Sequence, residues 1–221
     1  MIPLDHVRTW VFDMDDTLYP HEQGLMQLVQ ARINAYVVEA VGMAPEEAGI
    51  LQRQFLDEHG TTLAGLMANY TIDPDHFLDV VHQVPLDGVE PNPRLAEALR
   101  RLPGRRYVFT NGARAYAGRV LDRIGIADCF DGLFAIEDGD LTPKPAPSAF
   151  RRMIEAFGGF EPRGACFFED TPRNLEPAKA LGMTTVLVGD GRGKPLGDHI
   201  DHIAPDLLDF LSDLSFKDAA A

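Results

Sequence analysis

Asp13 and Asp15 stand two residues apart at the end of an apolar run, Trp10-Val11-Phe12. On extended backbone, residues i and i+2 point to the same side, so the two carboxylates face one way while Met14 faces the other. Two carboxylates aimed together can hold a metal ion or divide nucleophile and acid work between them. Asp16 adds a third negative charge and Thr17 a hydroxyl before Leu18-Tyr19-Pro20 closes the segment. A solvated acidic turn would carry the same letters. The distinction rests on whether the chain supplies the partners that such chemistry needs.

Three other places do. Thr110-Asn111-Gly112 follows a second apolar run, and there a hydroxyl and the backbone N–H groups of a tight turn can hold phosphate oxygens. Taken singly, such a turn serves equally as a helix N-cap. Lys144 lies in Thr142-Pro143-Lys144-Pro145-Ala146-Pro147, where the prolines restrict the backbone and so aim one ammonium group. Ala165-Cys166-Phe167-Phe168 then runs into Glu169-Asp170, repeating the opening pattern, with Asn174 one helical turn further on. If these strands are neighbours in a parallel sheet, Asp170 approaches Asp13 and Asp15. Hard oxygen ligands at such a point suit Mg²⁺. Glu169 is either a direct or water-mediated ligand or a helix-start charge.

The elements that must position these groups follow from periodicity. Apolar runs at Val7–Phe12, Tyr107–Thr110, Leu133–Ile136, Ala165–Phe168 and Thr184–Val188 read as buried strands. Helical patterns at Pro93–Leu102, Ala113–Ile124, Pro147–Phe157 and Arg173–Leu181 alternate with them, the last closed by Gly182. Alternating strands and helices predict an α/β fold with a Rossmann-like parallel sheet, whose ligands bind beyond the carboxyl ends of the strands. Between Leu18 and Val89 the apolar spacing is helical throughout: Leu25 to Val41, Ala44–His59, Thr61–Tyr70 and Pro74–Val84. Pro20 at one end and Pro85, Pro91 and Pro93 at the other bracket this stretch. The expectation is a core of residues 1–18 and 90–221 with a small all-helical domain, 19–89, inserted after the first strand, placed to act as a lid.

The chain of 221 residues carries 20 Lys and Arg against 34 Asp and Glu, a formal charge of −14 with pI near 4.8. That balance repels nucleic acid and anionic membranes. No uncharged apolar stretch approaches membrane-spanning length, and the N-terminal residues lack a basic then apolar leader, so a cytoplasmic protein is expected, monomeric or homodimeric. Cys129 and Cys166 are too few and too far apart for a disulfide framework or zinc site and read as small core residues. Gly189-Asp190-Gly191-Arg192-Gly193-Lys194 departs from a nucleotide-binding loop in spacing and in Pro195, and reads as a flexible loop. His199 and His202 lack further soft ligands and read as a surface segment.

The four motifs in their order resemble the haloacid dehalogenase superfamily, whose pattern is D-x-D-x-T, then Ser or Thr, then Lys, then an acidic pair. The inserted helices resemble that superfamily's first class of cap. The strings Asp15-Asp16-Thr17-Leu18-Tyr19-Pro20, Thr110-Asn111-Gly112, Thr142-Pro143-Lys144-Pro145 and Phe168-Glu169-Asp170 with Asn174 look like its pyrimidine 5′-nucleotidase branch. Tyr116 departs from the branch, many of whose members have histidine there. The resemblance implies phosphomonoester hydrolysis through an aspartyl-phosphate on Asp13, with Asp15 as acid and then base. It also implies Mg²⁺ on Asp13, Asp170 and the backbone carbonyl of Asp15. Thr110, Asn111 and Lys144 would hold phosphoryl oxygens, Thr17 would shape the first loop, and Asn174 would position Lys144 or a metal-bound water. The substrate would be a small phosphorylated metabolite such as a pyrimidine nucleoside 5′-monophosphate. Leaving-group contacts would come from residues near Tyr19 and His21, with Arg114 and Tyr116 as further candidates. Sugar phosphomutases share these motifs. Haloacid dehalogenases lack the aspartate that Asp15 supplies, and a non-catalytic phosphoacceptor would order its motifs differently.

Overall fold

A computed structural model describes residues 4–193 and 196–216. Six parallel strands form one sheet: β1 (Thr9–Phe12), β2 (Arg105–Phe109), β3 (Gly132–Phe134), β4 (Ala165–Glu169), β5 (Thr184–Val188) and β6 (His202–Ala204). Their order is β3-β2-β1-β4-β5-β6, which puts β1 at the centre between β2 and β4. Thr9 pairs with both Arg105 and Ala165, and Phe12 with both Val108 and Phe168, so the three strands end level with one another. Parallel strands require crossovers, and helices supply them.

Alternation along the strands builds two cores. Trp10 and Phe12 face α5 (Pro93–Arg100), α6 (Arg114–Ile124) and α9 (Leu207–Ser212), together with Cys166, Phe168 and Val186. Val11, Phe109, Phe167 and Leu187 face α7 (Pro147–Ala156) and α8 (Pro172–Leu181). Phe12 stacks on Phe168 with centroids 4.6 Å apart and an interplanar angle of 10°. Helices α5, α7 and α8 begin on proline at the first position, where the missing N–H costs nothing, and so do two of the helices described below, at Pro45 and Pro74. Gly182 closes α8 at φ 95° as expected. Cys129 and Cys166 are buried free thiols.

The segment between β1 and α5 is helical, as the periodicity requires: α1 (Leu25–Val37), α2 (Pro45–His59), α3 (Thr62–Asn69) and α4 (Pro74–Val81). A π turn, Val38–Gly42, extends α1, and Thr61 and Asp73 cap α3 and α4 through their side chains. Gly65 lets α3 close on α2, since a Cβ there would fall 2.2 Å from the Phe55 ring. No helix among the described residues is long and apolar enough to cross a membrane.

Three sequence readings change. The segment containing His199 and His202 is not simply surface: His202–Ala204 forms the edge strand β6. Ile136 leaves β3 and begins a 3₁₀ turn. Strand β2 starts two residues early, at Arg105 and Arg106, because Asp131 receives the Arg106 N–H at 2.8 Å and the Arg105 guanidinium at 2.6 Å. Lys194 and Pro195 of the glycine-rich loop, Met1 to Pro3, and residues 217–221 of the tail lie outside the described residues.

The turn before β2 sets the register of the central strands. Gly104 has φ 90°, and a Cβ there would meet the Arg8 carbonyl oxygen at 2.1 Å; Arg105 N–H donates to that same carbonyl at 2.9 Å. Gly104→Ala must therefore displace the strand pair or strain the turn, a loss of about 2–4 kcal/mol. For a chain of this size that corresponds to a melting temperature lower by roughly 5–12 °C in a circular-dichroism scan, and an unchanged midpoint would contradict the close approach.

Candidate active site

The central strands deliver the sequence-predicted residues to one edge. Asp13 extends the ladder one step beyond β1, its N–H donating to the Phe168 carbonyl at 2.9 Å, so its position is set by the sheet. Next door β4 ends in Glu169, followed by Asp170, and β2 is followed by Thr110. Level strand ends thus bring Asp13, Thr110, Glu169 and Asp170 together.

Lys144 reaches the same point from the loop before α7. Its side chain is 1% exposed, and its ammonium donates to Asp13 Oδ1 at 2.6 Å, Glu169 Oε2 at 2.7 Å and the Phe109 carbonyl at 3.0 Å. The rings of Phe109 and Phe167 lie under it at 5.2 and 5.5 Å. Burial alone favours the neutral amine, but Asp13 and Glu169 outweigh it and hold the ammonium above the ordinary lysine range. Burial and then the charge of Glu169 push the Asp13 carboxyl above its usual range, against the pull of Lys144. One buried cation thus serves two buried carboxyl groups.

Asp13, Glu169 and Asp170 each offer a carboxylate oxygen, and those atoms lie within 4.8 Å of one another. An all-oxygen, negatively charged donor set fits a hard divalent cation. Glu169 is also engaged with the protein, since Oε2 holds Lys144 and Oε1 accepts from the Thr171 N–H at 3.1 Å. The Asp15 side chain belongs elsewhere. Its Oδ1 accepts from the hydroxyls of Tyr19 at 2.6 Å and Tyr116 at 2.9 Å. Burial raises its pKa to about 6, and the two tyrosine hydroxyls oppose that rise.

The structure also places the other predicted residues. The Asn111 side chain is engaged with the backbone of Lys144, accepting its N–H at 2.8 Å and donating to its carbonyl at 3.2 Å. It fixes the lysine loop. Asn174 is buried on α8 and lines the cavity, but the three N–H groups of Lys144 are directed to Asp13, Glu169 and Phe109, so Asn174 is not what positions that lysine. Thr110 is buried, its Oγ1 accepting from the Gly112 N–H at 2.9 Å. Asp16, at φ 55°, pairs with His21 at 2.7 Å as a loop charge. Arg114 is engaged with Asp138 and the Leu133 carbonyl, outside the cavity lining.

Above these groups opens a cavity of about 750 Å³ that the helices between β1 and β2 line with Val29, Asn34, Gln52, Phe77 and His82, among others. Burial lowers the His82 pKa to about 4, so the ring is neutral; Nδ1–H donates to the Leu78 carbonyl at 2.9 Å. Sequence reasoning missed Gln52 and His82, because a polar residue on a helix facing a cavity carries no pattern of its own. The loop after α2 rests directly on the lysine loop: a Cβ on Gly60 would lie 2.9 Å from the Lys144 carbonyl.

Comparison with known proteins places this geometry. The model of the family described as haloacid dehalogenase-like hydrolase matches residues 7–182. Phosphate metabolism protein 8 of Saccharomyces cerevisiae is 28% identical over 198 residues, covering 81% of this chain and 61% of the yeast protein. The Escherichia coli fructose-1-phosphate phosphatase YqaB is 33% identical over 110 residues, covering 49% of this chain and 57% of that protein. The chain thus spans about three fifths of the length of either relative. The crystal structure of a HAD phosphatase from Thermococcus onnurineus has the same fold, with a TM-score of 0.61 at 22% identity over 93% of this chain and 97% of that one.

The Lys144 contacts make a stability test. Lys144→Met removes the ammonium and leaves Asp13 and Glu169 buried together, a destabilisation of about 3–5 kcal/mol at neutral pH in urea denaturation without added metal. A loss below about 1 kcal/mol would show that the lysine is not what balances these carboxylates.

Proposed function

Because the chain belongs to the haloacid dehalogenase-like hydrolase family, we propose that it hydrolyses phosphate monoesters through a covalent intermediate on Asp13. What carries this reading is Asp13 itself: a buried carboxylate bonded to a buried ammonium, beside two further carboxylates, at the floor of a large cavity. An Asp13 oxygen attacks phosphorus, the phosphorus–oxygen bond to the leaving group breaks, and Asp15 gives that oxygen its proton. Asp15 then takes a proton from water as the aspartyl-phosphate is cleaved. A carboxyl whose pKa sits at about 6 is suited to both directions near neutrality. Lys144, already on Asp13, is within reach of a phosphoryl oxygen bonded there, and the Thr110 hydroxyl and the Asn111 N–H serve the others.

Asp13, Asp170 and the Asp15 backbone carbonyl would hold Mg²⁺, which when bound offsets the repulsion between a phosphate and a carboxylate. The helices α1–α4 act as a cap that supplies the leaving-group contacts and excludes water. Amides of Gln30, Asn34 and Gln52 beside Val29, Phe77 and Leu78 suit a leaving group with hydroxyls or carbonyls on an apolar body. A pyrimidine nucleoside meets that description, and so does a sugar of the kind named for the Escherichia coli relative.

Asp13→Asn should keep the fold by circular dichroism and lose at least about 10³-fold in kcat on every phosphate monoester; turnover within tenfold of the parent would refute the covalent role. Mg²⁺ at a hundred times its Kd should raise stability by about 2.7 kcal/mol, seen as a higher melting temperature. Asp170→Asn should abolish that rise, and a rise unchanged by the substitution would place the ion elsewhere. A panel of nucleoside and sugar monophosphates ranks the leaving groups, and a flat response would remove the nucleotidase refinement alone.

A further inference from the structure

Both hydroxyls around Asp15 go to one oxygen. Tyr19 lies four residues on in the same loop and is 3% exposed, and Tyr116 comes from the first turn of α6 and is 1% exposed. Their O–H groups converge on Oδ1 at 2.6 and 2.9 Å, so Oδ2 is the oxygen that remains for the reacting atoms. Tyr116 is held firmly for this. Its ring stacks on His82 with centroids 4.5 Å apart, at 24°. His82 is itself fixed by the Leu78 carbonyl through its ring, and its own carbonyl accepts from Arg119 at 2.5 Å. On the other side, a Cβ on Gly112 would come within 3.2 Å of the Tyr116 ring. The hydroxyl is thus placed between α4, α6 and the turn after β2.

We propose that Tyr116, with Tyr19, is a positioning residue that keeps the transferable proton on Asp15 Oδ2 and stabilises the carboxylate formed as that proton leaves. The proposal rests on the reading of Asp15 as the acid. In the transfer step the Asp13 oxygen–phosphorus bond forms and the phosphorus–leaving-oxygen bond breaks. The electron pair stays on the leaving oxygen, which takes the Oδ2 proton. Asp15 is left with a full negative charge, and two neutral hydrogen bonds at Oδ1 become charge-assisted ones. Because they strengthen only as the charge develops, they favour the transition state over the bound substrate. A leaving group that departs without a proton gains nothing from them.

That last difference supplies the test. The values of kcat/KM for a simple alkyl phosphate and for 4-nitrophenyl phosphate are compared in the parent, Tyr116→Phe and Tyr19→Phe proteins with Mg²⁺ present. Phenylalanine keeps each ring, that of position 116 on His82, and removes only the hydroxyl. Each variant should lose about tenfold more on the alkyl ester than on the aryl ester. Equal losses on both esters would reduce the tyrosines to packing and overturn the proposal, as would no loss on either. A parent enzyme that turns over neither ester would overturn the phosphatase reading, and this proposal with it.

Discussion

The ammonium of Lys144 is the charge on which the site's electrostatics depend. Two carboxylates, Asp13 and Glu169, are buried against it, and ionised carboxylates in such surroundings survive only when paired. The remaining supports serve to keep that nitrogen in place. The Phe109 carbonyl takes its third proton, two phenylalanine rings lie beneath it, and Asn111 clamps the backbone from which it extends. With Asp170 the cluster sets three carboxyl groups around one ammonium. An acidic protein therefore presents a pocket that calls for added cations, and its overall charge of −14 says little about what that pocket attracts.

Topology explains why residues more than 150 apart in sequence meet here. Central strand β1 has β2 on one side and β4 on the other, all three ending level, so whatever follows their last residues faces a common edge. Parallel sheets impose that convergence wherever the strand order reverses. Stability and chemistry are divided accordingly. Strand interiors are filled by large rings such as Trp10, Phe12, Phe167 and Phe168, and the clustered carboxylates come at the strand ends.

Much of this was legible in the sequence because the determining signals are local. Strands β1, β4 and β5 announce themselves as continuous apolar runs, and helices such as α5, α7 and α8 by a proline start and an amphipathic face. The convergence of Asp13, Thr110, Lys144 and Asp170 follows once a parallel sheet is accepted. What escaped depends on pairings that no window contains. Strand β6 is three residues long and exists because β5 offers it an edge. The hold of the Asn111 side chain on the Lys144 backbone, 33 residues away, is visible only in the fold. Tyr116 meets Asp15 across 101 residues, so a tyrosine that seemed a departure from a pattern proves to touch Asp15 itself.

The bare backbone of Gly60 against the Lys144 carbonyl has a consequence for how such a protein can diversify. The roof of the cavity is seated on the anchor of its floor through a contact that tolerates no side chain, so the seat and the anchor must evolve as a unit. The residues that look into the cavity from α1, α2 and α4 carry no such obligation. A new cavity lining is then reached by exchanging letters on the helices, while the seat of glycine on proline-flanked lysine holds the carboxylate cluster unchanged beneath them.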